Sequence, residues 1–99
     1  MAKARSIMDD RIVLGERTFV ELVVWEVPIP LRGSTHQYKY RLALVSKDDC
    51  QLRYDNEAGK GDHKHIGSTE TPYQFQSLAQ LENDFWEDVE RWLKTQSEQ

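Results

Sequence analysis

Between Tyr38 and Val45 the chain alternates without interruption. Tyr38, Tyr40, Leu42 and Leu44 occupy the even positions, and Lys39, Arg41, Ala43 and Val45 the odd ones. Successive side chains of a strand point to opposite faces, so this segment is a strand with one face in a core and the other carrying charge. Residues 50–55 repeat the pattern, with Cys50, Leu52 and Tyr54 set against Gln51, Arg53 and Asp55. Directly opposed residues of an antiparallel pair share a face, so the opposed numbers must sum to an even total. The shortest loop that satisfies this is Lys47-Asp48-Asp49. It pairs Ser46 with Cys50, Leu44 with Leu52 and Leu42 with Tyr54. On the charged face it sets Arg41 opposite Asp55 and Ala43 opposite Arg53. A two-residue loop would bring core positions opposite charged ones.

Around this hairpin the sequence predicts further strands. Residues 18–27 are dense in β-branched and aromatic side chains and end at Pro28 and Pro30, which cannot donate to a ladder. Residues 11–14 form a short strand candidate, joined to the next through a Gly-first turn at Gly15-Glu16. Residues 62–66 are expected to return as a short strand, and Gly67 to Pro72 as polar loop. Ser77 and Gln80 have the spacing of a capping box. Leu78, Leu81, Phe85, Val89 and Trp92 then follow a helical stripe, predicting a helix over residues 77–95. Glu87–Arg91 and Glu90–Lys94 are spaced as i,i+4 ion pairs on its surface. The class is therefore α+β: an antiparallel meander of four to five strands with one C-terminal amphipathic helix packed on it. The helix should bury Leu81, Phe85, Val89 and Trp92 against Tyr40, Leu42, Leu44, Leu52 and Tyr54. The chain of 99 residues is expected to be a single domain over 1–99, with residues 1–10 as a flexible tail.

Charge and cysteine content narrow the surroundings. No apolar run is long enough to span a membrane, and the basic start is not followed by the apolar stretch of a signal peptide. Cys50 is alone, so no intramolecular disulfide forms, and a reducing, cytoplasmic setting is expected. The formal net charge of −4 is unevenly spread. The C-terminal segment holds Glu82, Asp84, Glu87, Asp88, Glu90 and Glu98 against Arg91 and Lys94, which reads as a solvated acidic helix face. The stretch from Arg32 to His65 carries seven bases against five acids and all three histidines. A local basic patch of this kind permits a nucleic-acid partner in an acidic protein.

The segment from Leu52 to His65 gathers cations, imidazoles, acids and two glycines into a turn between strands. Cleavage of RNA without a metal needs a base for the ribose 2′-hydroxyl, an acid for the leaving oxygen and cations for the transition state. His63 and His65 are the candidate proton-transfer groups. Lys39, Arg41, Arg53 and Lys60 are the candidate phosphate ligands, with Tyr54, Asp55 and Asp62 supporting; no metal or cofactor is called for. Other readings stand beside this one. Extended residues 63–65 would put both imidazoles on one face, where Asp62, His36 or Asp55 could complete a metal site. Gly59-Lys60-Gly61 lacks the remainder of a phosphate-loop pattern. The histidines could also be solvated loop residues, and Arg41–Asp55 an ordinary cross-strand pair.

Taken together, residues 38–42, the block from Leu52 to His65, Pro72-Tyr73 and the helix from Ser77 to Trp92 resemble the TumE-type toxins of toxin–antitoxin pairs. The resemblance runs from about His36 to Trp92. It implies a small growth-inhibiting toxin acting on RNA in a ribonuclease-like manner, neutralised by a cognate antitoxin that is often a DNA-binding protein. It brings no catalytic residue set with it. The contrasting function is a non-catalytic module that docks a partner protein through its charged sheet face or an exposed edge.

Overall fold

The computed structural model of the protein describes residues 3–97. Six strands, β1 (Arg5–Gly15), β2 (Thr18–Glu26), β3 (Tyr38–Ser46), β4 (Asp49–Glu57), β5 (Gly61–Ile66) and β6 (Thr69–Pro72), precede one helix, α1 (Leu78–Ser97). The strands lie in sequence order in one antiparallel sheet, an uninterrupted meander. The α+β meander with its C-terminal helix is thus as the alternation predicts, with six strands rather than four to five.

The sixth strand and the extension of β1 come from segments whose sequence signal is weaker. Residues 5–10, expected as tail, lie in β1, where Asp9 and Asp10 oppose Val23 and Leu22. The β1–β2 turn is Glu16-Arg17, with Arg17 at φ 69°, not Gly15-Glu16; Gly15 pairs with Thr18 instead. A register shift between Val13 and Gly15 absorbs the difference. Residues 69–72, expected as loop, form β6, a four-residue edge strand whose Pro72 closes the ladder opposite His63.

The central hairpin keeps the deduced pairs Leu44–Leu52, Leu42–Tyr54, Ala43–Arg53 and Arg41–Asp55. Its end differs: Val45 opposes Cys50 and Ser46 opposes Asp49. The loop is the two residues Lys47 and Asp48, at φ 53° and 70°, the backbone of the turn that matches strand twist. A bulge leaves Gln51 as the extra residue between Cys50 and Leu52, restoring even-sum pairing beyond it. The tight turn and the buried face are both satisfied, which parity without a bulge forbids.

The even face of β2, β3 and β4 is the core. Val20, Leu22, Val24, Tyr40, Leu42, Leu44, Leu52 and Tyr54 are buried there with Leu81, Phe85 and Val89 of α1. Trp92 sits half-buried at the rim, short of the burial expected for it. Ser77 Oγ accepts the Gln80 N–H at 3.0 Å, but the Gln80 amide turns to Asp84, so only half of the capping box forms. Arg91 pairs with Asp88 rather than Glu87. Residues 27–37 fold back onto the β4–β5 turn. Gly59 N donates to Arg32 O at 2.6 Å, and Gly33 and Gly61 meet backbone to backbone at φ 96° and 80°. A Cβ on Gly61 would lie 2.7 Å from Gly33 O, so the turn glycines are accounted for by this close approach.

Phe85 is fully buried beneath the sheet, edge-on to Tyr54 with ring centroids 6.0 Å apart. Phe85→Ala is expected to cost about 3–5 kcal/mol of unfolding free energy. Urea denaturation followed by circular dichroism checks this, and a loss under about 1 kcal/mol would mean that α1 is not the lid of this core.

Candidate functional site

The pairing of β4 with β5 decides what the sheet face turned away from α1 carries. Asp55 opposes His63 and Arg53 opposes His65, while Tyr54 opposes Lys64 on the helix side. Across β6, His63 meets Pro72 and His65 meets Glu70. Two rows therefore cross the sheet on the open face. One runs Val23, Arg41, Asp55, His63 and Pro72; the other runs Glu21, Ala43, Arg53, His65 and Glu70. Lys39 lies on this face as well, opposite the exposed Trp25.

Asp55 is the hub of the first row. Its Oδ1 is 3.5 Å from His63 Nε2 and 3.9 Å from His65 Nε2, and its Oδ2 is 2.9 Å from Arg53 Nε. Arg53 Nη2 reaches His65 Nε2 at 3.0 Å. Arginine has only donors, so His65 Nε2 accepts and its hydrogen sits on Nδ1. That nitrogen faces Glu70 Oε2 at 3.9 Å. His63 Nε2 lies between two carboxylates, Asp55 and Glu70, the latter at 3.6 Å. The two rings meet edge-on, centroids 5.5 Å apart. Lys60, from the β4–β5 turn, pairs with Glu70 Oε1. The Glu70 carboxyl is held below its ordinary range chiefly by the hydrogen bond from Lys60, and Lys60 is raised by the same contact.

The cluster is graded in burial. The side chains of His63 and Asp55 are 4% and 11% exposed, those of His65 and Arg53 23% and 28%. Among the described residues, three buried side-chain polar atoms have no hydrogen-bond partner: Arg53 Nε, Asp55 Oδ1 and His63 Nε2. At 2.9 Å the Arg53 Nε–H is not aimed at Asp55, so that contact is an ion pair without a hydrogen bond. Outside the cluster a shallow groove of about 330 Å³ runs past Lys60, His63, Glu70 and Pro72.

Of the residues singled out by sequence, Arg53, Asp55, Lys60, His63 and His65 come together. Arg41 and Lys39 share their face but stand exposed, and Arg41, although opposite Asp55, leaves the ion pair to Arg53. Tyr54 and Asp62 are on the opposite face. Tyr54 donates to Asp88 Oδ2 at 2.5 Å. Asp62 accepts from Ser34 Oγ at 2.5 Å, His36 Nε2 at 2.6 Å and Tyr40 OH at 2.8 Å. His36 Nδ1 accepts the Tyr38 N–H, which leaves Nε2 as the donor to Asp62. Asn56 joins this network, bridging the Tyr40 N–H and Tyr38 O. These bonds hold residues 34–36 against β3 and β5. Asp84 and Asp88 of the acidic helix face also turn inward, accepting from Tyr73 at 2.6 Å and Tyr54. That face is not uniformly solvated. The cations of the site, too, are largely paired with Asp55 and Glu70, so the local basic patch is partly neutralised from within.

Glu70 was not legible as a site residue because its segment reads as loop. The signal was Ile66-Gly67-Ser68-Thr69, a Gly-Ser turn between alternating β-branched residues.

With this geometry in place, the family model described as Toxin TumE matches residues 2–93 of the 99-residue chain. The chain belongs to the TumE toxin family. It is thus the toxin component of a toxin–antitoxin system, and membership implies a cognate antitoxin. No curated protein and no solved structure matches it. Among the described residues of this TumE protein, no helix is long and apolar enough to cross a membrane.

The tyrosines of the helix-side networks predict an alkaline transition. Burial, then the hydrogen bond to a carboxylate, pushes the phenols of Tyr40, Tyr54 and Tyr73 well above their ordinary value of 10.0. A folded-state value above the unfolded one stabilises the fold in full below about pH 10, and that contribution is lost as pH rises beyond it. In an alkaline titration, tyrosinate absorbance from these three residues should appear in step with loss of circular dichroism. Their ionisation in a fully folded protein near pH 10 would contradict the networks.

Proposed function

We propose that this toxin cleaves RNA by metal-independent transesterification at the His63–His65 pair. The observation that carries the reading is the position of Glu70. An anion is held against Lys60 and lies 3.6 and 3.9 Å from the two imidazoles, where a scissile phosphate would need to sit. In this reading Glu70 is an internal stand-in that RNA displaces.

The chemistry follows from the donors. An incoming phosphate takes over Lys60 and draws the Arg53 guanidinium away from His65. His65 Nε2 is then free to carry its hydrogen toward Asp55, which leaves Nδ1 facing the phosphate as the base. Nδ1 removes the proton of the ribose 2′-hydroxyl, and the 2′-oxygen attacks phosphorus. His63, acting as the imidazolium beside Asp55, gives its Nε2 proton to the departing 5′-oxygen and is left as the neutral imidazole. The products are a 2′,3′-cyclic phosphate and a free 5′-hydroxyl. Arg53 and Lys60 offset the charge growing on the non-bridging oxygens. Arg41 and Lys39 extend a track for the backbone across the sheet, and Trp25, 39% exposed beside Lys39, offers a stacking surface for a base.

His63→Ala and His65→Ala should each lower cleavage of RNA in chelator by about a hundredfold or more, with growth inhibition lost on induced expression. Folded, fully toxic double variants would remove the histidines from the mechanism and favour a binding module instead. Arg41→Ala should leave the cleavage step intact and flatten the dependence of log affinity on log salt by roughly 0.7. Glu70→Gln should tighten RNA binding, since the competing anion is gone; weaker binding would mean that Glu70 is not in the phosphate position.

A further inference from the structure

The orphaned atoms of the cluster ask for a partner that RNA does not supply. Asp55 Oδ1 and His63 Nε2 are buried, unbonded and 3.5 Å apart, and His65 Nε2 is 3.9 Å from the same carboxylate oxygen. One ligand atom from each residue falls within 4.8 Å of the other two. Tetrahedral zinc holds nitrogen and oxygen ligands at about 2.0–2.2 Å, which places neighbouring ligand atoms about 3.4 Å apart. The two nitrogen–oxygen spacings here, 3.5 and 3.9 Å, are already close to that. Two imidazoles and one carboxylate suit a borderline cation such as zinc better than calcium or magnesium, which take oxygen ligands. Three protein ligands leave a fourth position for water. Buried polar groups without partners are uncommon and call for a bound species or another physical cause.

The geometry points to a zinc-class divalent-cation site formed by Asp55, His63 and His65, whose occupancy switches the toxin off. The switching clause rests on the ribonuclease reading, because an ion on both imidazoles removes their capacity to transfer protons; the binding clause stands without it. Arg53 opposes the ion. Its guanidinium occupies His65 Nε2 at 3.0 Å and one oxygen of Asp55, so it must turn outward before the metal enters. Its 28% exposed side chain lies partly at the surface. Arg53 thus separates the two ligands of the site: it assists phosphate and resists metal.

The test uses the full-length protein, stripped with chelator and titrated with zinc chloride by calorimetry and by competition with a chromophoric chelator. One ion per chain is expected. Asp55→Asn and His65→Ala should each weaken binding by at least about a hundredfold. His65→Ala removes a part-exposed side chain, and circular dichroism verifies that it folds. Cys50→Ser should bind as the wild type does, which excludes the exposed thiol as the ligand. Arg53→Ala should bind zinc several-fold more tightly while binding RNA less well, an inversion that a damaged fold would not produce. In cleavage assays zinc should abolish activity and excess chelator restore it. No binding by the wild type, binding that survives His65→Ala, or weaker binding by Arg53→Ala would each overturn the site. Zinc binding with these variant effects but stimulated cleavage would overturn the switching clause and the metal-independent mechanism together. If RNA is not cleaved under any condition, the ribonuclease reading and the switching clause fail, while the binding titration still decides the site.

Discussion

The pairing of Leu44 with Leu52 fixes which face of β4 looks at the helix, and nearly everything else inherits that choice. With the even residues of β3 and β4 committed to the core, Arg53 and Asp55 must face the other way. β5 pairs with β4 in register, so His63 and His65 follow them. A slip of one residue would bury Arg53 and Asp55 against Phe85 and turn Tyr54 out to water. The desolvation cost of two charged groups against an aromatic core, set beside the loss of a buried tyrosine, makes such a slip untenable. The bulge at Gln51 protects this commitment, because it lets the hairpin close with a two-residue turn without passing the parity change into the core.

Two carboxylates on adjacent strands then do opposite work. Asp62 accepts three short hydrogen bonds, from Ser34, His36 and Tyr40, and is saturated. Such a group anchors a loop and has little left to offer a ligand. Asp55 sits one face away with an ion pair to Arg53 and an oxygen that no hydrogen bond satisfies. Its surroundings are incomplete, and incomplete buried polar sites are where binding and catalysis concentrate. The same distinction separates the histidines. His36 is fixed by the Tyr38 N–H and by Asp62 and stacked on Phe75 at 3.8 Å, whereas His63 and His65 face groups that could exchange for a phosphate or an ion.

Legibility in the sequence followed the strength of the periodic signal. Residues 38–45 and 50–55 alternate so cleanly that the central register is deducible, including Arg41 opposite Asp55, whereas the face taken by His63 and His65 depends on the β4–β5 register that only the structure supplies. The bulge was not legible, because nothing in Gln51 marks it as the extra residue; the twist-matched turn at Lys47-Asp48 demands it. Charge in Asp9-Asp10 reads as tail and polarity in Thr69–Pro72 as loop, which shortens β1 and hides β6, although edge strands tolerate both. Closeness in sequence places Tyr54 and Asp62 with the site, whereas even parity sends them to the helix side.

Composition and local pattern by themselves determined an antiparallel sheet with a C-terminal helix, its buried face and the cations Lys39, Arg41 and Arg53 on the other. Those follow from side-chain period and from the cost of burying charge, which are properties of the chain alone. The tertiary structure decided the rest. It brought Glu70 on β6 against Lys60, His63 and His65, gave Asp55 to Arg53 instead of Arg41, and folded Asp62 into a network with residues 34–36. Each of these depends on which of several nearby side chains come within contact of one another, and that choice is set by ångström-scale distances that only the packed chain fixes.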